Sequence, residues 1–261
     1  MSRILHVTDV HFGTEDRAAV AAFTEHAWAQ QPDLIVVTGD LTRDGRPAEF
    51  EAAAEWLRGL PGPQVTTPGN HDTPYLNIPL RALVPFARYR RWIGPTDGAG
   101  HDLPDARVRT VNTARGGQPR LDWSKGAIDL KAADAAARAL AEGPAGALRM
   151  IACHHPLVEA IDAPVEGNVH RGHLAAERFA ALGVDLILTG HVHNPFAVPL
   201  PFGDERTYAV GAGTLSTRLR GVPASFNCLE VEPDHVEVVA VAWNGRRYES
   251  FRTWSLTRRR P

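Results

Sequence analysis

Five apolar segments of this chain each end in side chains that can bind a metal. "RILHVTDVH" ends in Asp9 and His11, "DLIVVTGD" in Gly39-Asp40, and "QVTTPGNHD" in Gly69-Asn70-His71-Asp72. "ALRMIACHHP" ends in His154-His155-Pro156, and "VDLILTGHVH" in Gly190-His191-Val192-His193. Runs of this length and hydrophobicity read as strands covered on both faces. In open α/β sheets, ligands bind outside the carboxyl ends of the strands. Five such ends can therefore converge on one place, and any fold for this chain has to accommodate that.

Taken singly, a His at a strand end is an ordinary capping or surface residue, and Gly-Asp or Gly-Asn is an ordinary turn. The repetition decides otherwise, because the chain has only 12 His among 261 residues. In "DVH" and "HVH" the outer residues are two apart, so each pair projects to one side if the extended conformation continues. The glycines before Asp40, Asn70 and His191 allow sharp turns and close backbone approach.

The segments between the strands carry helical spacing at 16–31, 47–60, 129–143 and 172–183, and at 79–94 with a break near Pro85. Residues 107–114 form a further strand. From residue 207 the pattern changes to strands alone: "TYAVGAG", "SFNCLEVE", "HVEVVAVAW" and "RYESFRTW", with turns at "PDH" and "NGR". Alternating strands and helices followed by a meander predict an α/β fold with a mixed central sheet. We expect one domain over 1–261. Its 1–206 part carries the site and 207–261 is a C-terminal β meander of the same domain. Residues 94–106 and 114–126 read as long loops.

The formal net charge is -2, which gives no support to a nucleic-acid or membrane surface. Two cysteines make no disulfide framework and suit a reducing cytosol. The N-terminal apolar run is too short for a signal peptide, and no run approaches the ~20 apolar residues of a membrane span. The expectation is a soluble, cytoplasmic protein.

Asp9, His11, Asp40, Asn70, one of His154 and His155, His191 and His193 make seven ligands. That exceeds one metal of four to six positions and suits two, with one carboxylate bridging. Mixed imidazole and carboxylate donors favour Mn, Fe or Zn over Ca. Two such ions can hold a hydroxide and clamp the oxygens of a phosphoryl displacement.

"DVH", "GDLTRDG", "PGNHD", "HHP" and "GHVH", in this order over residues 9–193, resemble the calcineurin-like metallophosphoesterase superfamily. Within it the chain is most similar to bacterial class III cyclic nucleotide phosphodiesterases and glycerophosphodiester-hydrolysing relatives. The resemblance implies a four-layer αββα sandwich and hydrolysis of a small organic phosphodiester by a metal-bound hydroxide. It implies that Asp9, His11, Asp40 and His193 hold one metal. Asp40, Asn70, His154 and His191 would hold the other, with Asp40 shared. Strand alternation does not itself choose between His154 and His155.

His71 is then left free beside the metals, to donate to a phosphoryl oxygen or to protonate the leaving group. Asp72 either orients His71 or caps a helix. Arg43, Arg171 and Arg218 are candidate phosphate clamps, with a surface or structural role the simpler expectation for each. His170 and His173 read as solvated loop residues, and Cys153 as a buried strand residue rather than a nucleophile. Other readings are a phosphomonoesterase or protein phosphatase, and a metal-free scaffold on the same fold. A nuclease is disfavoured by the charge. The loops at 94–106, 114–126 and 157–173 would set substrate choice, and a homo-oligomer is compatible with the sequence.

Overall fold

A computed structural model describes residues 1–118, 122–158 and 169–259. The strands are β1 (Arg3–Val7), β2 (Leu34–Val37), β3 (Gln64–Thr66), β4 (Gly100–Asp102), β5 (Ala106–Thr110), β6 (Leu148–Ala152), β7 (Leu186–Thr189), β8 (Phe196–Pro199), β9 (Tyr208–Gly211), β10 (Ser225–Val231), β11 (His235–Trp243) and β12 (Tyr248–Thr257). The helices are α1 (Arg17–Gln30), α2 (Pro47–Arg58), α3 (Ile78–Leu83), α4 (Ala87–Trp92), α5 (Leu130–Ala141) and α6 (Gly172–Ala181). The expected break near Pro85 is the gap between α3 and α4. No helix among the described residues is long and apolar enough to cross a membrane.

The strands form two six-stranded sheets, ordered β12-β11-β10-β1-β2-β3 and β4-β5-β6-β7-β9-β8. In the first, β1, β2 and β3 run parallel and β10 pairs antiparallel with β1. In the second, β5, β6, β7 and β9 run parallel, with β4 and β8 antiparallel at the edges.

Period-two alternation sorts the side chains into layers. Ile4, Leu34 and Val36 face Val108, Met150, Leu186 and Leu188 of the other sheet and form the core between the sheets. Leu5, Val7, Ile35 and Val37 point the other way, onto Phe23 of α1 and Phe50 of α2. Ile151 and Ile187 likewise meet Ala137 of α5 and Phe179 of α6. Every residue of β2 is buried because both its faces are covered. The result is the expected αββα sandwich, with two mixed sheets.

Local chemistry sets the helix ends that flank the site. Asp16 accepts from the backbone N–H groups of Ala18 and Ala19 at 3.1 Å each, capping α1. Asp129 does the same for α5. Proline opens α2 at a position whose N–H has no helical partner.

Three expectations change. The "TYAVGAG" strand does not lead the meander: β9 pairs in parallel with β7 in the second sheet, and the meander starts at β10. The stretch 94–106 contains the short edge strand β4. β8, unforeseen in the sequence, closes the other edge.

Candidate metal centre

β1, β2, β3, β6 and β7 stop at Val7, Val37, Thr66, Ala152 and Thr189. All the candidate ligands therefore lie beyond strand ends, in loops at the edge where the two sheets meet. Backbone bonds sew that edge together. Asp9 N–H donates to the Gly39 carbonyl at 3.0 Å, and Gly190 N–H donates to the His154 carbonyl at 2.8 Å. His191 N–H donates to Asp9 Oδ2 at 2.9 Å, tying the second sheet to the first.

The extended conformation does not continue through "DVH" and "HVH". Asp9, His11, Asp40, His191 and His193 all adopt left-handed backbone, with φ of 54°, 50°, 52°, 69° and 54°. They account for five of the eight non-glycine residues with positive φ among the described residues. Each such residue costs on the order of 1–3 kcal/mol and persists where the surroundings over-determine it. Asp and His tolerate this region better than most residues. The ligand side chains thus converge by turning rather than by strand alternation.

The glycines act mainly through close approach. A Cβ on Gly69 would overlap the Asp40 carboxylate, and one on Gly190 would overlap the Thr8 side chain.

The side chains converge, among the described residues, as four overlapping groups, Asp9-His11-His193, Asp9-Asp40-His154, His11-Asp40-His71 and His154-His155-His191, whose ligand atoms lie within 4.8 Å of one another in each group. His193 Nε2 lies 3.0 Å and His11 Nε2 3.5 Å from Asp9 Oδ1. His154 Nε2 lies 3.3 Å from Asp40 Oδ2. His191 stands beside His154, with ring centroids 5.3 Å apart.

The other ring nitrogens fix the tautomers. His193 Nδ1 lies 2.7 Å from the Arg218 carbonyl, His154 Nδ1 2.7 Å from the Thr38 carbonyl, and His11 Nδ1 3.3 Å from the Thr42 carbonyl. A nitrogen facing a carbonyl oxygen carries a proton, so in each ring, when neutral, it is Nε2 that turns a lone pair inward. The Nε2 atoms of His11 and His193 then face each other at 3.3 Å, beside a carboxylate.

Asn70 Oδ1 and His154 Nε2 are buried without a hydrogen-bond partner. Leaving such atoms unpaired costs about 1–3 kcal/mol apiece. A cation satisfies all of these acceptors at once, so the residues fit a metal.

Burial dominates the electrostatics. It lowers His11 to about 4 and His191 to about 3, against the pull of the neighbouring carboxylates. Burial would lower His154 too, yet the Asp40 carboxylate raises it to about 9. Asp9 and Asp40 are held well below the carboxylate range by the imidazoles around them, although burial opposes this.

His155 lies in the cluster beside His154 and His191, but both its ring nitrogens are taken by protein groups. Its Nδ1 accepts from the Thr113 hydroxyl and its Nε2 donates to the Ser124 carbonyl, each at 2.8 Å. Cys153 is buried, its thiol pushed up to about 12, and it donates to the His155 carbonyl.

Asp72 does not orient His71. Its carboxylate accepts from Thr42 N–H and Gly69 N–H at 2.9 Å and from the Thr42 hydroxyl at 3.0 Å, pinning the two loops together. Nor does it cap a helix. Burial and the Asp40 charge raise it to about 7, against those three bonds. His71 is held instead by the Arg43 carbonyl, 2.6 Å from its Nδ1.

Arg218 takes a place at the site that its sequence context did not favour. Its Nη1 lies 3.1 Å from His71 Nε2 and 3.4 Å from His11 Nε2. Arg220 is half-buried nearby, with Nη1 unpaired. Both follow β9, so the signal was "GTLSTRLRG" after an apolar strand, readable only once that strand is placed beside β7. The Arg43 and Arg171 side chains are exposed, as are His170 and His173. Residues 119–121 and 159–168 of the loops expected to set substrate choice lie outside the described residues.

A mixed α/β double sheet that gathers buried carboxylates and imidazoles at one edge suits metal-dependent hydrolysis of a phosphoester. Residues 2–195 match the model of the calcineurin-like phosphoesterase family, and the chain belongs to it. It is 28% identical to a probable cyclic nucleotide phosphodiesterase of Synechococcus sp., over 88% of each chain. It is also 28% identical to a 3',5'-cyclic adenosine monophosphate phosphodiesterase of Escherichia coli, over 74% of this chain and 70% of that one. A dimetal phosphatase from Danio rerio has a similar fold, with a TM-score of 0.68 at 11% identity and 98% coverage of both chains. The chain is a metal-dependent phosphoester hydrolase.

Proposed function

We propose that the chain hydrolyses a small organic phosphodiester, of cyclic nucleotide or glycerophosphodiester type, at a centre of two transition-metal ions. The observation that carries this reading is the gathering of the His11, His154 and His193 Nε2 atoms around two buried carboxylates. Asp9, His11, Asp40 and His193 would hold one ion. Asp40, Asn70, His154 and His191 would hold the other, with Asp40 shared. The mixed donors suit Mn, Fe or Zn. Such ions, when bound, supply Lewis acidity and lower the pKa of a coordinated water toward ~7.

The chain's own residues do the rest. Arg218 stands at the rim, held by His71, and can donate to the phosphoryl oxygens as charge builds there. Arg43, through its carbonyl, keeps His71 aimed. Asp72 holds the Thr42 and Gly69 loops in register beneath them. The names of the Synechococcus and Escherichia coli relatives support a diester substrate. We further propose that 1–261 works as one domain, since β10–β12 complete the sheet that β1 begins. Its two free cysteines accord with the cytoplasm.

The pair Arg218 and Arg220 favours a second reading, a phosphomonoesterase, because two guanidinium groups suit a dianion. A panel of phosphomonoesters and phosphodiesters, assayed on metal-stripped enzyme reloaded with Mn, Fe or Zn, separates the two. Diester turnover with two metals per chain is expected. Turnover of monoesters alone would overturn the diester reading.

A further inference from the structure

A cavity of about 200 Å³ lies at the opposite end of β6 and β7 from the candidate ligands. Arg149 of β6, Asp185 before β7, and Arg258 and Arg259 after β12 line it, beside Gly146 and Gly183. Groups from both sheets meet there. Arg258 follows β12 of the first sheet. Its Nη1 donates to the Glu232 carbonyl and its Nη2 to the Gly146 carbonyl, just before β6 of the second sheet. Arg259 Nη1 reaches the second sheet as well, donating to the Val184 carbonyl at 2.6 Å.

The charges around this cavity do not balance. Of the three arginines only Arg259 makes an ion pair among the described residues, with Asp204 at 2.8 Å and Asp185 at 3.2 Å. Asp185 also accepts from the Arg149 backbone N–H at 2.9 Å. Arg258 is 8% exposed, and the oxygens it meets belong to neutral carbonyls. The half-buried Arg149 guanidinium rests against Gly183, where even a Cβ would come within 3.1 Å of its Nη1. A cation taken out of water without a counter-charge is costly. Guanidinium groups gathered around one hollow suit the oxygens of an anion, phosphate above all. The hollow is also small, below the ~300–1,000 Å³ of a site for a drug-sized ligand. It has room for a tetrahedral ion but not for a whole nucleotide.

We propose that this cavity binds a tetrahedral oxyanion, a free phosphate ion or the phosphate end of a small ester, at a site separate from the metal centre. The anion would meet Arg258 from the first sheet and Arg149 from the second, and so tie the two sheets together at the end away from the chemistry. The proposal is independent of which ester the metal centre hydrolyses.

The test is calorimetric titration of manganese-loaded enzyme with inorganic phosphate, in a buffer free of other oxyanions. The unaltered enzyme should show a phosphate site that Arg149→Gln weakens roughly ten- to 150-fold, the worth of one charged hydrogen-bond donor. Manganese content and any phosphate bound at the metals should stay the same in that variant. Gly146→Glu is the second variant. Nothing lies within 4 Å of a Cβ at Gly146, so the chain should fold, and the new carboxylate competes with phosphate for the arginines. It should remove the same site. Phosphate binding by either folded variant that matches the unaltered enzyme in stoichiometry and affinity would overturn the proposal. Ribose 5-phosphate as the titrant separates the two sources. Binding that Arg149→Gln weakens assigns the site to the phosphate end of an ester, and a site seen with inorganic phosphate alone assigns it to the free ion.

Discussion

The rings of His154 and His155 meet edge to face, 4.7 Å between centroids, yet only one of them has a nitrogen to spare. His155 spends both on Thr113 and Ser124, whereas His154 anchors Nδ1 on Thr38 and turns Nε2 toward Asp40. Two adjacent histidines on one strand exit are thus held differently, one turned toward the Asp40 carboxylate and one bonded to the protein at both nitrogens.

That division makes a prediction. His154→Ala should lower the metal content of the purified chain while leaving it folded. His155→Ala should keep the metals but lower the melting temperature, because it leaves the buried Thr113 hydroxyl and the half-buried Ser124 carbonyl unpaired, at about 1–3 kcal/mol for the buried group. Elemental analysis and thermal denaturation read the two variants apart. The reverse pattern would exchange their roles.

A second prediction concerns Asp40, which lies near His154 and His11 at once and also accepts from His71 N–H at 2.8 Å. Asp40→Ala removes the carboxylate proposed to be shared. Both metals should be lost together, and activity with them. A variant that retained two metals per chain would show that Asp40 does not bridge.

Much of the fold, and the cluster of candidate ligands, is legible in the amino-acid order itself. Long apolar runs covered on two faces are hard to mistake. Glycines followed by Asp, Asn or His mark their exits, and motif order supplies the proposed ligand set. What is not legible depends on tertiary pairing. β9 looks like the start of the meander because hydrophobicity cannot report which sheet a strand joins, and with β9 misplaced Arg218 looks like a surface residue. The left-handed turns at Asp9, His11 and His193 leave no mark in the sequence beyond residue types that tolerate them. The partner of His71 is a carbonyl, that of Arg43, and carbonyls belong to every residue.

Arg218 gives a third prediction. Its side chain touches His71 and His11, while its backbone carbonyl anchors His193. Truncation at Arg218→Ala keeps the carbonyl, so metal content should hold. Loss of a charged donor to the phosphoryl group should lower kcat roughly 10²–10³-fold. Arg218→Lys should recover only part, because an ammonium cannot reproduce the planar fork. Unchanged kcat in Arg218→Ala would return the side chain to a structural role.

The last prediction separates the two roles open to His71. Its Nδ1 faces the Arg43 carbonyl and its Nε2 faces Arg218 Nη1 at 3.1 Å. The first contact requires a proton on Nδ1, and the second uses Nε2 as an acceptor. An imidazole so arranged has no proton on Nε2 to give to a leaving group, whereas it does hold Arg218 toward the phosphoryl site. The His71→Ala variant should therefore keep both metals and lose kcat through a loosened Arg218. That loss should be alike for a nitrophenyl diester and an alkyl diester, since neither depends on a proton from His71. A general acid would behave otherwise: the alkoxide needs a proton to leave and the nitrophenolate does not, so the alkyl diester would suffer more. Kinetics of the variant on the two esters, at equal metal content, decide it. A markedly larger loss on the alkyl ester would make His71 the proton donor, with Arg218 swinging off Nε2 when substrate binds.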